Sequence, residues 1–281
     1  STYSYSSVMY VKDEEGLENV FTTSISTSSR DILVIPSSLL KSLSDENKGI
    51  IKKLHCERKY DFAGTAYTEV VLPLLHEMQF ESDVNDQIEK GRKVYQEIFN
   101  DDPSIFYAEY GIISNEVAEI LMWSGYSGVL TTSCVAIDLK NKIDIAAPNL
   151  SRWIGLPVQS LAWDYLLKAK SKLEVYASSK SCSVEKLESA LDEIYNLEKP
   201  VWFENYILSN ESEKEKNDLW FRAGISNIYR AIGDQLPSEL SVPIRLSVEN
   251  KPLTTSATGE YLICFADDAD NLQAVDNVFL S

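Results

Sequence analysis

The chain has 281 residues, 44% hydrophobic and 25% charged, which is enough for one large domain, or one plus a smaller appendage, around an unstapled core. With 43 acidic against 26 basic residues the formal net charge is −17. That argues against a nucleic-acid or anionic-membrane partner, because phosphate recognition needs concentrated Lys and Arg, and a solvated acidic surface is the plain reading of the imbalance.

In chain order, "SSVMYV" (6–11) and "ENVFTTSI" (18–25) read as strands, and "DILVIP" (31–36) as a short apolar strand closed by Pro36. A helical pair follows through Leu39, Leu40 and Leu43, then Ile50, Ile51 and Leu54, with Ser44 as a cap between them. "KYDFAG" (59–64) is the next strand, stopped at Gly64. Val84, Ile88, Val94, Tyr95 and Ile98 fall at helical spacing between Ser82 and Phe99. "SIFYAE" (104–109) returns to a strand. Ser114 then caps a helix through Val117, Ile120 and Leu121 that Gly125 stops.

"SGVLTT" (127–132) is another strand, a loop-rich stretch runs to Trp153, and helices are expected over residues 158–178 and 183–196. "PVWFENY" (200–206) reads as a strand, and "SNESEKEKND" (209–218) as a charged linker. An amphipathic helix through Leu219, Trp220, Ile225, Ile228, Tyr229 and Ile232 leads to β runs at 242–248, 260–266 and 277–280. Strand and helix alternating at intervals of about 25–40 residues imply parallel pairing through right-handed crossovers, hence an α/β sheet or barrel. The change of character divides the chain into a domain over 1–208 and a helix-plus-strand segment over 209–281.

Glu109 stands out, a carboxylate ending an otherwise apolar run. Burying a glutamate is expensive unless it is paired or used, and in parallel α/β folds the strand C-termini carry the chemistry. Glu204 takes the same position in its own run. Cys56, Cys134, Cys182 and Cys264 show no CxxC spacing, no secretory signal is visible in the residues given, and no apolar stretch approaches membrane-spanning length. The expectation is a soluble cytoplasmic protein with free, mostly buried thiols. Two histidines, His55 and His76, cannot build a histidine-rich zinc site, so neither a metal nor another cofactor is expected. A GxSxG turn and a glycine-rich phosphate loop are both missing.

Several consecutive stretches resemble glycoside hydrolase family 57. "ILVIPSSLLKSL" resembles its strand and leucine-rich helix, "FAGTAYTEVVLPLL" (62–75) its second motif, and "QIEKGRKVYQEIFNDDP" (87–103) the helix before its third. "IFYAEYGIISNEVAEILMWSGYSGVLTT" resembles the third motif itself, and "PVWFENY" the fourth. The match is clearest over 31–132 and extends to about 206. The chain departs from the family pattern at three points. The first motif's His-Gln-Pro is absent from "SVMYVKDEEG", Glu204 stands where an aspartate is expected, and Ala108 replaces the proline before Glu109.

The resemblance implies an incomplete (β/α)7 barrel acting on α-glucans, with Glu109 as nucleophile and Glu204 as acid/base in a retaining two-carboxylate mechanism. Tyr67, Tyr107, Tyr110, Trp153 and Trp202 are candidate sugar-binding aromatics, since a ring face offers a flat apolar platform. The partner would be an oligosaccharide or α-glucan; the oligomeric state is open. The competing expectation is a family member without catalysis, serving as a carbohydrate-binding or protein-interaction module. For each aromatic the plain alternative is a core role, and for Glu109 a bonded strand-end carboxylate. Asp164, in "LAWDYL", suits a helix surface better than a reaction centre.

Overall fold

Among the residues that the computed structural model describes (4–22, 31–131, 133–141, 145–208 and 210–249), five short strands run parallel with helices in the connections. The elements are β1 (Ser7–Tyr10), α1 (Glu14–Thr22), β2 (Asp31–Val34), α2 (Ser37–Ser42), α3 (Asp45–Cys56), β3 (Asp61–Ala63), α4 (Leu72–Glu77), α5 (Glu81–Phe99) and β4 (Ile105–Tyr107). A 3-10 turn at Glu109–Gly111 follows, then α6 (Asn115–Trp123), β5 (Gly128–Leu130), β6 (Ile137–Asp138), α7 (Ser151–Ile154), α8 (Pro157–Ala177), α9 (Val184–Leu197), α10 (Val201–Leu208), α11 (Glu211–Ile232) and α12 (Ile244–Glu249).

β1, β2 and β3 form one parallel sheet, while β4 pairs in parallel with β5 and β6 lies antiparallel on β5. A parallel bridge between Gly64 and Phe106 joins the two sheets. There the Gly64 N–H donates to the Ile105 carbonyl and the Tyr107 N–H to the Gly64 carbonyl, both at 2.8 Å. Gly64 is required at this seam, because a Cβ would stand 2.8 Å from the Tyr126 hydroxyl and 2.9 Å from Pro103. At the far edge the Tyr5 N–H donates to the Cys134 carbonyl at 2.8 Å, and Ser4 bridges Val135. The strands thus curl toward a ring.

Strand side chains alternate between the two faces. Ile32, Val34, Ala63, Ile105 and Leu130 pack with Tyr5 and Ala136 inside the ring. Leu33 and Phe62 face outward onto α2, α3 and α5 through Leu40, Ile51 and Val94. Phe106 and Val129 face the larger helical core, which Trp163, Phe203, Phe221 and Ile225 help to build. Buried apolar area here is the main stabilising term.

Four expected elements differ. Residues 18–22 of "ENVFTTSI" lie in α1, where Leu17, Val20 and Phe21 at i, i+3 and i+4 pack on the core, so helical spacing overrides the β-prone composition. "VWFENYIL" is α10, not a strand: Phe203 and Tyr206 share the buried face, and the Phe203 and Glu204 N–H groups donate to the Pro200 carbonyl. The expected linker opens α11 with a capping box, in which Asn210 accepts from the Glu213 N–H and Glu213 accepts from the Asn210 N–H. "VPIRLSV" is helical in α12, and the runs at 260–266 and 277–280 lie outside the described residues. Cys56 and Cys134 are exposed rather than buried, and Cys264 is outside the described residues. No helix among the described residues is long and apolar enough to cross a membrane.

The segment after β3 crosses α5 at Gly91, where a Cβ would meet the Thr65 carbonyl oxygen at 2.1 Å and the Ala66 carbonyl carbon at 3.0 Å. Backbone cannot rotate aside as a side chain can. Gly91→Ala is therefore expected to cost about 1–3 kcal/mol through overpacking, lowering the melting temperature by about 3–10 °C. Gly49, on α3 with open space around it, is the control, and its alanine variant is expected to hold or gain stability. Equal melting temperatures for the two variants would remove this contact from the account.

Candidate active site

The Ala108 N–H donates to the Leu130 carbonyl, so β4 keeps its pairing with β5 one residue beyond its formal end. Alternation then turns Glu109 toward the inside of the ring, at the C-terminal end of the parallel strands. Tyr10, ending β1, reaches the same place, and its hydroxyl donates to Glu109 Oε2 at 3.2 Å. The rings of Tyr10 and Tyr107 pack at 5.5 Å between centroids. Burial pushes the Glu109 carboxyl up to about 7, with neighbouring Glu69 adding to the rise and the Tyr10 hydrogen bond and Lys12 opposing it. Burial also raises Tyr10, keeping it a hydroxyl donor.

Glu109 and Tyr107 line a small cavity with Thr65, Thr68 and Glu69, of about 10 Å³, room for about one water. That is far below the ~300 Å³ at which ordinary ligand pockets begin, so a larger ligand would enter only with side-chain movement. Glu69 is free enough to move: its side chain is 36% exposed, with one oxygen 3.2 Å from Lys199 Nζ.

The 3-10 turn carries strain beside Glu109. Tyr110 has φ +56° and Gly111 φ +70°. A non-glycine residue in the left-handed region costs about 1 kcal/mol or more, and such residues gather at functional sites. The turn sends the Tyr110 hydroxyl to Glu204 Oε2 at 3.2 Å and sets its ring edge-on against Trp153 at 5.3 Å. Arg152 forms an ion pair with Glu204 Oε1 and lies over both aromatic rings. Glu204 is 6% exposed with both oxygens engaged.

Of the residues singled out in the sequence, Glu109, Tyr107, Tyr110, Trp153 and Glu204 thus form one linked group. Trp153 is buried beneath Tyr110 rather than offered as a platform. Tyr67 is separate: it is buried against Tyr195 with Lys90 Nζ 4.0 Å from its ring centre. Trp202 lies half-buried on α10, facing a different groove. Asp164 pairs with Lys168 on the surface of α8. Sequence reasoning missed Tyr10, Lys12, Glu69 and Arg152. Tyr10 and Lys12 had a usable signal, since they end a strand in the stretch where the expected histidine is absent. Among the described residues no group of three His, Cys, Asp or Glu side chains could hold a metal ion.

The sequence profile described as Glycosyl hydrolase family 57 matches residues 13–197, well over half of the chain. The chain belongs to glycosyl hydrolase family 57. Comparison with curated proteins and with solved structures gives no match.

The raised Glu109 pKa has a consequence for stability. Between the unfolded value of 4.5 and about 7 the folded protein holds more protons than the unfolded chain, so stability falls as pH rises through that window and is level above it. The penalty is at most about 3 kcal/mol. Glu109→Gln, neutral at every pH, is expected to melt several degrees above wild type at pH 8 and within a degree or two at pH 4.5. A melting difference independent of pH would show that desolvation of Glu109 is not the cause.

Proposed function

We propose that this chain is a glycoside hydrolase or transglycosidase acting on α-glucans, with an incomplete (β/α)7 barrel as its scaffold and Glu109 as the carboxylate that attacks the anomeric carbon. The observation that carries the reading is the placement of Glu109: inside the strand ring, at its C-terminal mouth, hydrogen-bonded by Tyr10 and facing a cavity. In a retaining reaction Glu109 forms the glycosyl-enzyme bond, and a second carboxyl protonates the leaving oxygen and then activates water or an acceptor sugar.

Glu204 was expected in that second role. Its geometry supports a holding role better, because Arg152 occupies Oε1 and the Tyr110 hydroxyl Oε2. Glu69 is the better-supported partner. It lines the Glu109 cavity and leaves one oxygen outside its contact with Lys199. On this reading Glu204 positions Tyr110, and through it the strained turn that aims Glu109.

The test is turnover of maltoheptaose followed across pH, with mass analysis for a trapped glycosyl enzyme. With Glu109 as nucleophile, kcat/KM rises with pH through about 7 as its proton leaves. Glu109→Gln abolishes release, and Glu69→Ala is expected to cost about 10²–10⁴-fold, the worth of general acid–base catalysis. Glu204→Gln, which keeps the side chain's shape, is expected to cost less than either. An activity that falls through pH 7 would instead make Glu109 the proton donor.

The second reading, a family member that binds glycans without turnover, draws on the Arg152–Glu204 pair and the missing histidine. It prevails if wild type binds maltoheptaose but releases no reducing sugar at any pH.

A further inference from the structure

α10 has two working faces. Glu204 looks toward Tyr110, whereas Trp202 and Asn205 line an open groove whose other wall is α11. The groove encloses about 520 Å³, within the range of ligand clefts. α11 contributes Glu213, Lys216, Asn217 and Trp220. The Trp220 indole is 62% exposed, and its N–H has no hydrogen-bond partner among the described residues. An exposed indole forfeits the burial that such a large ring normally supplies.

The floor is fixed, in contrast. Asn217 is 3% exposed; its Nδ2 donates to the Trp202 carbonyl at 2.8 Å, and its Oδ1 accepts from Asn205 Nδ2 at 3.2 Å. The Trp202 indole N–H donates to the Asn196 carbonyl at 2.8 Å, which holds that ring in place. A rigid polar floor therefore lies beside a free aromatic face.

Charge narrows the occupant. Among the described residues the lining has one acid, Glu213, and one base, Lys216, and so no formal net charge, on a chain that carries −17. Such a groove neither attracts a cation nor concentrates a phosphate. A neutral ligand with a flat apolar face and many hydroxyls fits this lining: its face stacks on Trp220, and its hydroxyls reach the Glu213 carboxylate and the Lys216 ammonium. We propose that the α10–α11 groove is a second, non-catalytic glycan-binding site, taking a neutral oligosaccharide and separate from the Glu109 cavity.

The experiment measures binding and turnover separately on the full chain. Retardation in native gels containing amylopectin, and quenching of tryptophan fluorescence by maltoheptaose, report binding, while reducing-sugar release reports the Glu109 site. Trp220→Ala is expected to weaken amylopectin binding about tenfold, the worth of one aromatic platform, and to leave maltoheptaose turnover and melting temperature within error. Trp220→Phe should recover part of the binding. Glu109→Gln should lose turnover and keep retardation, so a failure of the catalytic reading is not confused with a failure of this one. Unchanged retardation for Trp220→Ala overturns the proposal, as does a wild type that neither gel nor fluorescence shows binding glucan.

Discussion

The structure depends on the backbone of residues 64–70 lying hard against α5. Without a side chain at Gly91, the Thr65 carbonyl passes where a Cβ would be. Hydrogen bonds then lock the segment from three directions. The Ser37 N–H at the start of α2 donates to Thr65 Oγ1 at 2.9 Å, the Tyr67 N–H donates to the Gln87 carbonyl, and Thr68 Oγ1 donates to the Tyr195 carbonyl of α9. Thr65, Thr68 and Glu69 line the wall of the Glu109 cavity, so the geometry opposite that carboxylate is set by helix packing rather than by a free loop.

The same segment rests on a buried polar group that has to be satisfied as a unit. Gln87 is fully buried; its Oε1 accepts from the Thr68 N–H and its Nε2 donates to Glu198 Oε2 at 2.8 Å. Glu198 is also fully buried, and burial first, then Asp83, pushes its carboxyl well above the usual range, which keeps a proton on it. Lys170 Nζ lies 2.7 Å from Asp83 in the same site. The chain thus handles its buried glutamates in three ways. Glu198 keeps a proton, Glu204 is met by a guanidinium, and Glu109 receives only a tyrosine hydroxyl and remote help from Lys12. Glu109 is the least compensated of the three, as a group reserved for chemistry would be.

Much of this was legible in the sequence. The apolar runs of β2, β4 and β5, the Ser44 and Ser114 caps and the glycine stop after α6 all follow local rules, and the structure has them where they were expected. The place of Glu109 just past β4 was legible, because the apolar run before it reads as a strand. α1 and α10 were not, because Val, Phe, Thr and Trp favour strands in isolation and only tertiary packing of Leu17, Phe203 and Tyr206 selects the helix. The cap at Asn210 with Glu213 was a readable signal hidden inside a charge run. Glu69, Arg152 and Lys199 could not be found by pattern, since their roles arise from contacts 40 or more residues away in the chain.

The departures from the family pattern become coherent at the mouth of the ring. The strand that lacks the expected histidine ends in Tyr10, with Lys12 two residues beyond, and both act on Glu109. An imidazole there would shift charge between pH 5 and 8, whereas burial raises the Tyr10 hydroxyl and keeps it neutral, and the Glu109 carboxyl is pushed up first by its own burial. At the fourth motif, the helix that replaces a strand carries Glu204 to Arg152 and Tyr110 instead of into the cavity. Glu204 holds the hydroxyl of Tyr110, the residue in the left-handed turn that follows Glu109. Arg152, Glu204 and Tyr110 thus form one contact unit beside that turn, apart from the cavity wall that packs against Gly91 and carries Glu69.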